Sequence, residues 1–165
     1  MFTKPKITKI LFATDLSENA NQAFNYATSL AEAYGAVITV LHVVEKMRPN
    51  AELLLAALLG YRDIDELRQK READLIQEIK QCIEQFCAQA ADQVPECRFI
   101  LGQVIVEPGK AADRILHHIS TGAYDALVIG SRGHGPVQEA LVGGTAHKVF
   151  YKIRIPVFVV PLLQA

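Results

Sequence analysis

The chain has 165 residues, half of them hydrophobic, and a formal net charge of -1 from 17 basic and 18 acidic side chains. That is enough apolar material for a sizeable core in one domain spanning 1–165, and the near-neutral charge leaves no electrostatic footprint for nucleic acid or an anionic membrane. No apolar run approaches the roughly 20 residues that span a bilayer, and the amino-terminal MFTKPKITK lacks the apolar stretch of a signal peptide. The three cysteines, Cys82, Cys87 and Cys97, lack metal-ligand spacing, which fits reduced thiols and a cytoplasmic protein.

Ile7 to Ala13 predicts a first strand, because a continuous apolar run suits a strand covered on both faces. Thr14, Asp15, Leu16 and Ser17 end it, with Ser17 as the helix N-cap. Ala20, Phe24, Ala27, Leu30 and Ala31 then recur at helical spacing until Gly35. Val37 to Val44 predicts the second strand, in which His42 reads as a satisfied interior or edge histidine. The segment from Arg48 to Arg62 is rich in leucine and predicts a short helix or lid, with a subunit contact as the alternative. Asp63 to Ala91 predicts one long amphipathic helix. Cys97 to Val106 carries the expected third strand, placed at Arg98 to Leu101, with Gly102 and Pro108 allowing irregularity after it. A short helix follows over Ala111 to Ile119, a fourth strand over Tyr124 to Ile129, a helix over Ala146 to Lys152, and a fifth strand over Ile155 to Val160.

Strands alternating with helices imply parallel pairing and right-handed crossovers. The expected fold is α/β, a three-layer sandwich with a five-stranded parallel sheet in Rossmann-like order 3-2-1-4-5. In such a sheet a ligand binds beyond the strand carboxyl ends where the order reverses, here between strands one and four. Asp15 lies just past strand one, and the stretch GSRGHGPVQEALVGGT, Gly130 to Thr145, lies just past strand four. A glycine-rich loop running from a strand into a helix presents main-chain N–H groups to an anion. Ala13, Thr14 and Asp15 would form one wall, Val43 the flank, and Gly130, Ser131, Arg132, Gly133, Gly143, Gly144 and Thr145 the phosphate side. A nucleotide fits this arrangement: N–H groups and the Thr145 hydroxyl for phosphate, a carboxylate for ribose hydroxyls, an apolar strand end for a purine. Asp15 also reads as a helix cap, a role compatible with the first because a carboxylate has two oxygens, and Arg132 reads equally as a phosphate contact or a solvent-facing charge. His147 and Lys148 read as surface residues. His117 and His118 are adjacent, so they diverge on a helix and are not expected to share a metal.

The spacing Gly130, two residues, Gly133, nine residues, Gly143 resembles the nucleotide-binding motif of the ATP-binding branch of the universal stress protein family. ILFATDLSENA, VITVLHVVE, AYDALVIGSRG and GGTAHKVFYKIRIPVFVV resemble family segments in the same order. The resemblance implies that Asp15 contacts ribose, that the Val43 backbone meets adenine, and that Gly130, Gly133 and Gly143 belong to the phosphate and ribose loop. It also implies ATP with Mg²⁺ bound through the phosphates, and a homodimer through the last strand, Val157 to Val160. The chain departs from the pattern in two places. Gly109-Lys110-Ala111 stands where the family often has glycine, any residue, proline. Gly144 stands where a Ser or Thr directly follows the third glycine, with Thr145 one residue later. Either Gly144 lets the loop unwind so that Thr145 becomes the N-cap, the arrangement favoured here, or Thr145 points elsewhere.

The functional expectation is a stress-response protein that binds ATP or another adenine nucleotide and acts as a sensor or signalling module. A nucleotide-free interaction protein of the same fold and a slow ATPase or adenylyl-transferring enzyme are the alternatives; a flavodoxin-like carrier is more remote. No Ser/His/Asp arrangement, Walker ending or water-orienting base is evident, so little ATP turnover is expected.

Overall fold

The computed structural model describes residues 2–46, 49–93, 100–131 and 143–161. Five strands occur among them: β1 (Lys9–Thr14), β2 (Val37–Val44), β3 (Leu101–Pro108), β4 (Ala126–Gly130) and β5 (Val157–Val160). They form one sheet in the order β3-β2-β1-β4-β5, all pairs parallel, as the alternation of elements predicts. The helices are α1 (Glu18–Tyr34), α2 (Pro49–Leu59), α3 (Ile64–Arg68), α4 (Glu72–Gln93), α5 (Ala111–Thr121) and α6 (Gly144–Phe150).

Side chains alternate across a strand, so the central strands supply two cores. Ile10 and Phe12 of β1, Ile38 and Val40 of β2, and Ala126 and Val128 of β4 face one side. There they meet Ala23, Phe24, Ala27 and Ala31 of α1 and Ile79, Ile83 and Cys87 of α4. Leu11, Ala13, Leu41, Val43, Leu127 and Ile129 face the other side, against Ala112 and Ile115 of α5 and Ala146 and Val149 of α6. The small residues of α1 bring that helix close to the sheet, and Gly35, at φ 66, ends it in the left-handed conformation.

Two sequence expectations are corrected. The third strand expected within Cys97 to Val106, at Arg98 to Leu101, is found further on: the described strand is Leu101–Pro108, and residues 97–99 lie outside the described residues. Gly102 lies inside it, and a Cβ there would sit 2.5 Å from the Val37 side chain, so a residue expected to allow irregularity after the strand instead permits close approach within it. Pro108 is tolerated because β3 pairs with β2 alone and a proline at a strand end on the sheet edge removes no obligatory bond. The long helix expected over Asp63 to Ala91 is two helices. Asp63 caps α3, its carboxylate accepting the Glu66 N–H at 2.9 Å. The chain turns at 69–71, where Lys70 Nζ donates to Glu78 at 3.2 Å and the Tyr61 hydroxyl donates to the same carboxylate. The interval from Leu67 to Leu75 is still a multiple of helical spacing although the residues between are mostly charged, which is why the turn hides in the sequence. Ser17 stands at the N-cap position of α1 with extended backbone but makes no side-chain cap; its hydroxyl is engaged by Asp15.

The leucine-rich segment forms α2. Leu55 and Ala56 are buried, while Leu53, Leu54 and Leu58 are exposed. No helix among the described residues is long and apolar enough to cross a membrane. Cys82 and Cys87 are free thiols, and burial pushes the Cys87 thiol up to about 11; Cys97 lies outside the described residues.

The edge strand β3 is tied to α5 by Glu107, whose carboxylate accepts from Arg114 Nε and Nη2, each at 2.8 Å, with His118 Nε2 at 2.7 Å. Hydrogen bonding from Arg114, and after it from His118, holds the Glu107 carboxyl below its ordinary value of 4.5 against the opposing effect of burial. A depressed carboxylate stabilises the fold above its unfolded pKa and loses that contribution as pH falls through the folded value. The group is partly solvated, so the pair is worth only about 0.5–1 kcal/mol. Glu107→Gln should lower the urea unfolding free energy by that amount at pH 7, and the difference from the native chain should shrink in melts below pH 4.

Candidate functional site

β1 and β4 lie side by side, with Ala13 opposite Ile129, and their carboxyl ends open at the same edge of the sandwich. In the order β3-β2-β1-β4-β5 the chain leaves β1 toward β2 on one side and β4 toward β5 on the other, so this is the point where a crevice forms in an open parallel sheet. Ala13 is buried, Thr14 and Asp15 are half-buried, and Val43 of β2 is buried on the α5 and α6 side. β2 continues past the last residue of β1, since Thr14 pairs with His42, which puts Val43 and Val44 on the flank.

The turn out of β1 is closely bonded. Thr14 Oγ1 accepts the Leu16 N–H at 3.1 Å. Asp15 Oδ1 accepts both the Ser17 N–H at 3.0 Å and the Ser17 hydroxyl at 2.6 Å. The D-x-S pattern supports this turn, because a short carboxylate reaches a backbone donor two residues on. His42 Nδ1 lies 2.9 Å from the Thr14 carbonyl. A carbonyl only accepts, so this nitrogen carries the proton. Sequence reasoning gave His42 the role of a satisfied histidine and missed that it clamps the end of β1.

Across the crevice, Gly130 ends β4 opposite Val160. Ser131 is buried, and its N–H donates to the Val160 carbonyl at 2.7 Å. The Gly143 N–H donates to the Ser131 carbonyl at 2.5 Å. The two ends of the glycine-rich stretch are therefore joined at the mouth of β4. Arg132 and Gly133 lie outside the described residues. The structure thus brings Ala13, Thr14, Asp15, Gly130, Ser131, Gly143, Gly144 and Thr145 to one end of neighbouring strands.

One expectation fails here. Thr145 is not the N-cap of α6. Gly143 holds that position with extended backbone, φ -66 and ψ 161, and Gly144 is the first helical residue. The His147 N–H reaches back to the Gly143 carbonyl at 2.9 Å, which starts the helix one residue too early for a shift of the loop to bring Thr145 to the cap. Thr145 is half-buried in the first turn, and a Cβ on Gly144 would meet nothing within 4 Å.

A second departure is compensated. Ala111 opens α5 where the resemblance expects proline, a residue suited to a first helical position because it has no N–H to satisfy. Alanine does have one, and that N–H donates to the carboxylate of Glu45, just past β2. Gly109 supplies the turn before it, with φ 141.

No group of three or more metal-ligating side chains occurs among the described residues. A shallow groove elsewhere, lined by Phe24, Thr28, Glu32 and Gln93 among others, involves the later turns of α1 and α4. Those turns run back toward the amino ends of the strands, away from the crevice.

Residues 6–161 match the model of the Universal stress protein family. The chain is 28% identical over 153 residues to the universal stress protein YxiE of Bacillus subtilis, covering 92% of this chain and 97% of that protein. It is 24% identical to the universal stress protein MJ0577 of Methanocaldococcus jannaschii, over 92% of this chain and 93% of that one. A solved structure of MJ0577 superposes with a TM-score of 0.71 at 22% identity, covering 98% of this chain and 100% of the other. Two further folds are alike: a universal stress protein in complex with cAMP, at TM-score 0.54 and 15% identity over 95% of this chain and 98% of that one, and one from Archaeoglobus fulgidus in complex with dAMP, at 0.56 and 17% over 93% and 96%.

Proposed function

The chain belongs to the universal stress protein family, and from that premise we propose that it binds an adenine nucleotide, ATP by preference, in the crevice beyond β1 and β4. The observation that carries this reading is the meeting of the Asp15 turn with the two joined ends of the glycine-rich stretch at one switch point. The dAMP and cAMP complexes of structurally similar family proteins support an adenine nucleotide as the ligand class. Asp15 accepts hydrogen bonds from ribose hydroxyls. The backbone at Val43 meets the adenine edge, and Ala13 and Thr14 line the wall beneath it. Main-chain N–H groups of Arg132, Gly133 and Gly144 take the phosphates, and Gly130, Ser131 and Gly143, with the Ser131 and Gly143 N–H groups bonded internally, hold the neck of the loop at the crevice. Mg²⁺ arrives with ATP, held mostly by phosphate oxygens and water. In this reading the protein is a cytoplasmic sensor or signalling module whose output passes through its own dimer and partner contacts.

Mass spectrometry of natively purified protein should find retained adenine nucleotide. In calorimetric titrations, Asp15→Ala and Gly133→Val should each weaken ATP binding about tenfold or more, the scale of a lost hydrogen bond to a charged group. Equal affinity in both variants and the native chain would remove the assignment.

The start of α6 sharpens the phosphate side. With Gly143 as cap, a hydroxyl at position 144 would stand where the family pattern has one, and the space there is open. Gly144→Ser should therefore tighten ATP binding several-fold, within the roughly 0.5–3 kcal/mol of one hydrogen bond. Thr145→Ala should change it little. A large loss in Thr145→Ala, greater for ATP than for AMP, would assign the phosphate contact to Thr145 instead.

The dimer proposed for this protein uses β5. That strand pairs with β4 alone, and an apolar edge strand offers its unpaired backbone groups to a second chain. Val157, Phe158 and Val159 are only half-buried, and Pro156 and Pro161 limit the pairing to a short stretch, favouring a closed pair over fibres. Sedimentation at micromolar concentration should give a dimer, and Val159→Lys should shift it to monomer.

A further inference from the structure

We infer that Leu16 is a positioning residue that sets the orientation of the Asp15 carboxylate at the crevice, acting through a backbone elbow that its own side chain anchors. Leu16 has φ 63, in the left-handed region. A side chain with a Cβ is disfavoured there, and leucine has no polar group to compensate locally as asparagine or aspartate can. Such a conformation persists only where its surroundings over-determine it, and it concentrates where a site needs a fixed geometry. The surroundings do so here. The Leu16 N–H is held by Thr14 Oγ1, and Thr14 is held through its carbonyl by His42. The two Ser17 donors converge on one oxygen of Asp15, and Ser17 is joined to the first turn of α1, its carbonyl accepting the Ala20 N–H at 2.9 Å. The Leu16 side chain packs against the core formed by the sheet, α1 and α4.

With Leu16 in left-handed backbone, both Ser17 donors meet Oδ1 of Asp15, and the direction from which they approach is set by that φ. The apolar anchor supplies the driving force, and the strained φ converts it into a direction for Asp15. Alanine keeps the aversion to positive φ and drops the anchor. Methionine keeps an apolar chain of similar length.

The inference rests on the nucleotide reading of the crevice, and two measurements separate it from that reading. The first is a double-mutant cycle by ATP calorimetry on the native chain, Leu16→Ala, Asp15→Ala and the pair. Leu16→Ala should weaken ATP binding about three- to tenfold, within the range of a disturbed hydrogen bond to a charged group, and should have no further effect when Asp15 is already alanine. Leu16→Met should restore the native affinity. Equal losses in both backgrounds would mean that Leu16 acts on the fold at large, and would overturn the inference. The second measurement needs no nucleotide: amide hydrogen exchange at Ser17. Leu16→Ala should speed that exchange while Leu16→Met leaves it slow; unchanged exchange in Leu16→Ala overturns the inference. If the native chain and Asp15→Ala titrate alike with ATP, the nucleotide reading fails, and exchange at Ser17 alone decides the role of Leu16.

Discussion

The parallel pairing of β1 with β4 is the contact on which the rest of the molecule depends. Ile10, Leu11, Phe12 and Ala13 stand opposite Ala126, Leu127, Val128 and Ile129, and all eight are buried. This pair joins two crossovers that run in opposite directions from the centre of the sheet. It fills both cores at once, because alternate residues of each strand face α1 and α4 on one side and α5 and α6 on the other. It also puts two turns far apart in sequence at one mouth. A crevice here requires no dedicated walls; it is the gap left where the chain departs in both directions.

What lines that gap differs between its sides. The β1 side is a turn stapled by side chains, with Thr14, Asp15 and Ser17 bonding locally and His42 reaching across from β2. The β4 side is held by backbone alone: Ser131 to Val160, then Gly143 to Ser131. A carboxylate held in a stapled turn is suited to directional hydrogen bonding. Backbone bonds at the neck of the glycine-rich stretch fix where that stretch leaves and rejoins the sheet. The same division appears at α5, where Glu45 satisfies the Ala111 N–H that a proline would not present. One substitution in the chain is answered by another side chain in space.

The central strands were legible because burial on both faces demands a nearly continuous apolar run: Ile10 to Ala13 and Ala126 to Ile129 are uninterrupted, and Val37 to Val44 is interrupted only by Thr39 and His42. β3 was misplaced because it is an edge strand, half-buried and containing Gly102 and Pro108, so its membership rests on pairing with Thr39 to Val44 of β2 and not on its own composition. The break between α3 and α4 was invisible because the apolar spacing carries across it. The cap of α6 was misread for a related reason. A Thr after two glycines is a local cap signal, yet α6 begins at Gly144; Ser17 does hold the N-cap position of α1, with its hydroxyl bonded to Asp15.

The sequence by itself determined the fold class, the strand order and the residues that would share a mouth. Those follow from where apolar runs begin and end, together with the handedness and pairing rules of parallel sheets. Its glycine spacing and ordered segments also carried the family resemblance, on which the roles expected of Asp15 and Val43 rest. Only the tertiary structure decided the orientation of the groups at that mouth. The left-handed backbone of Leu16, the His42 clamp, the Glu45 cap and the register of α6 each depend on a partner distant in sequence or on packing against the core. Leucine carries no local preference for φ near 63, so nothing short of the assembled core could specify it.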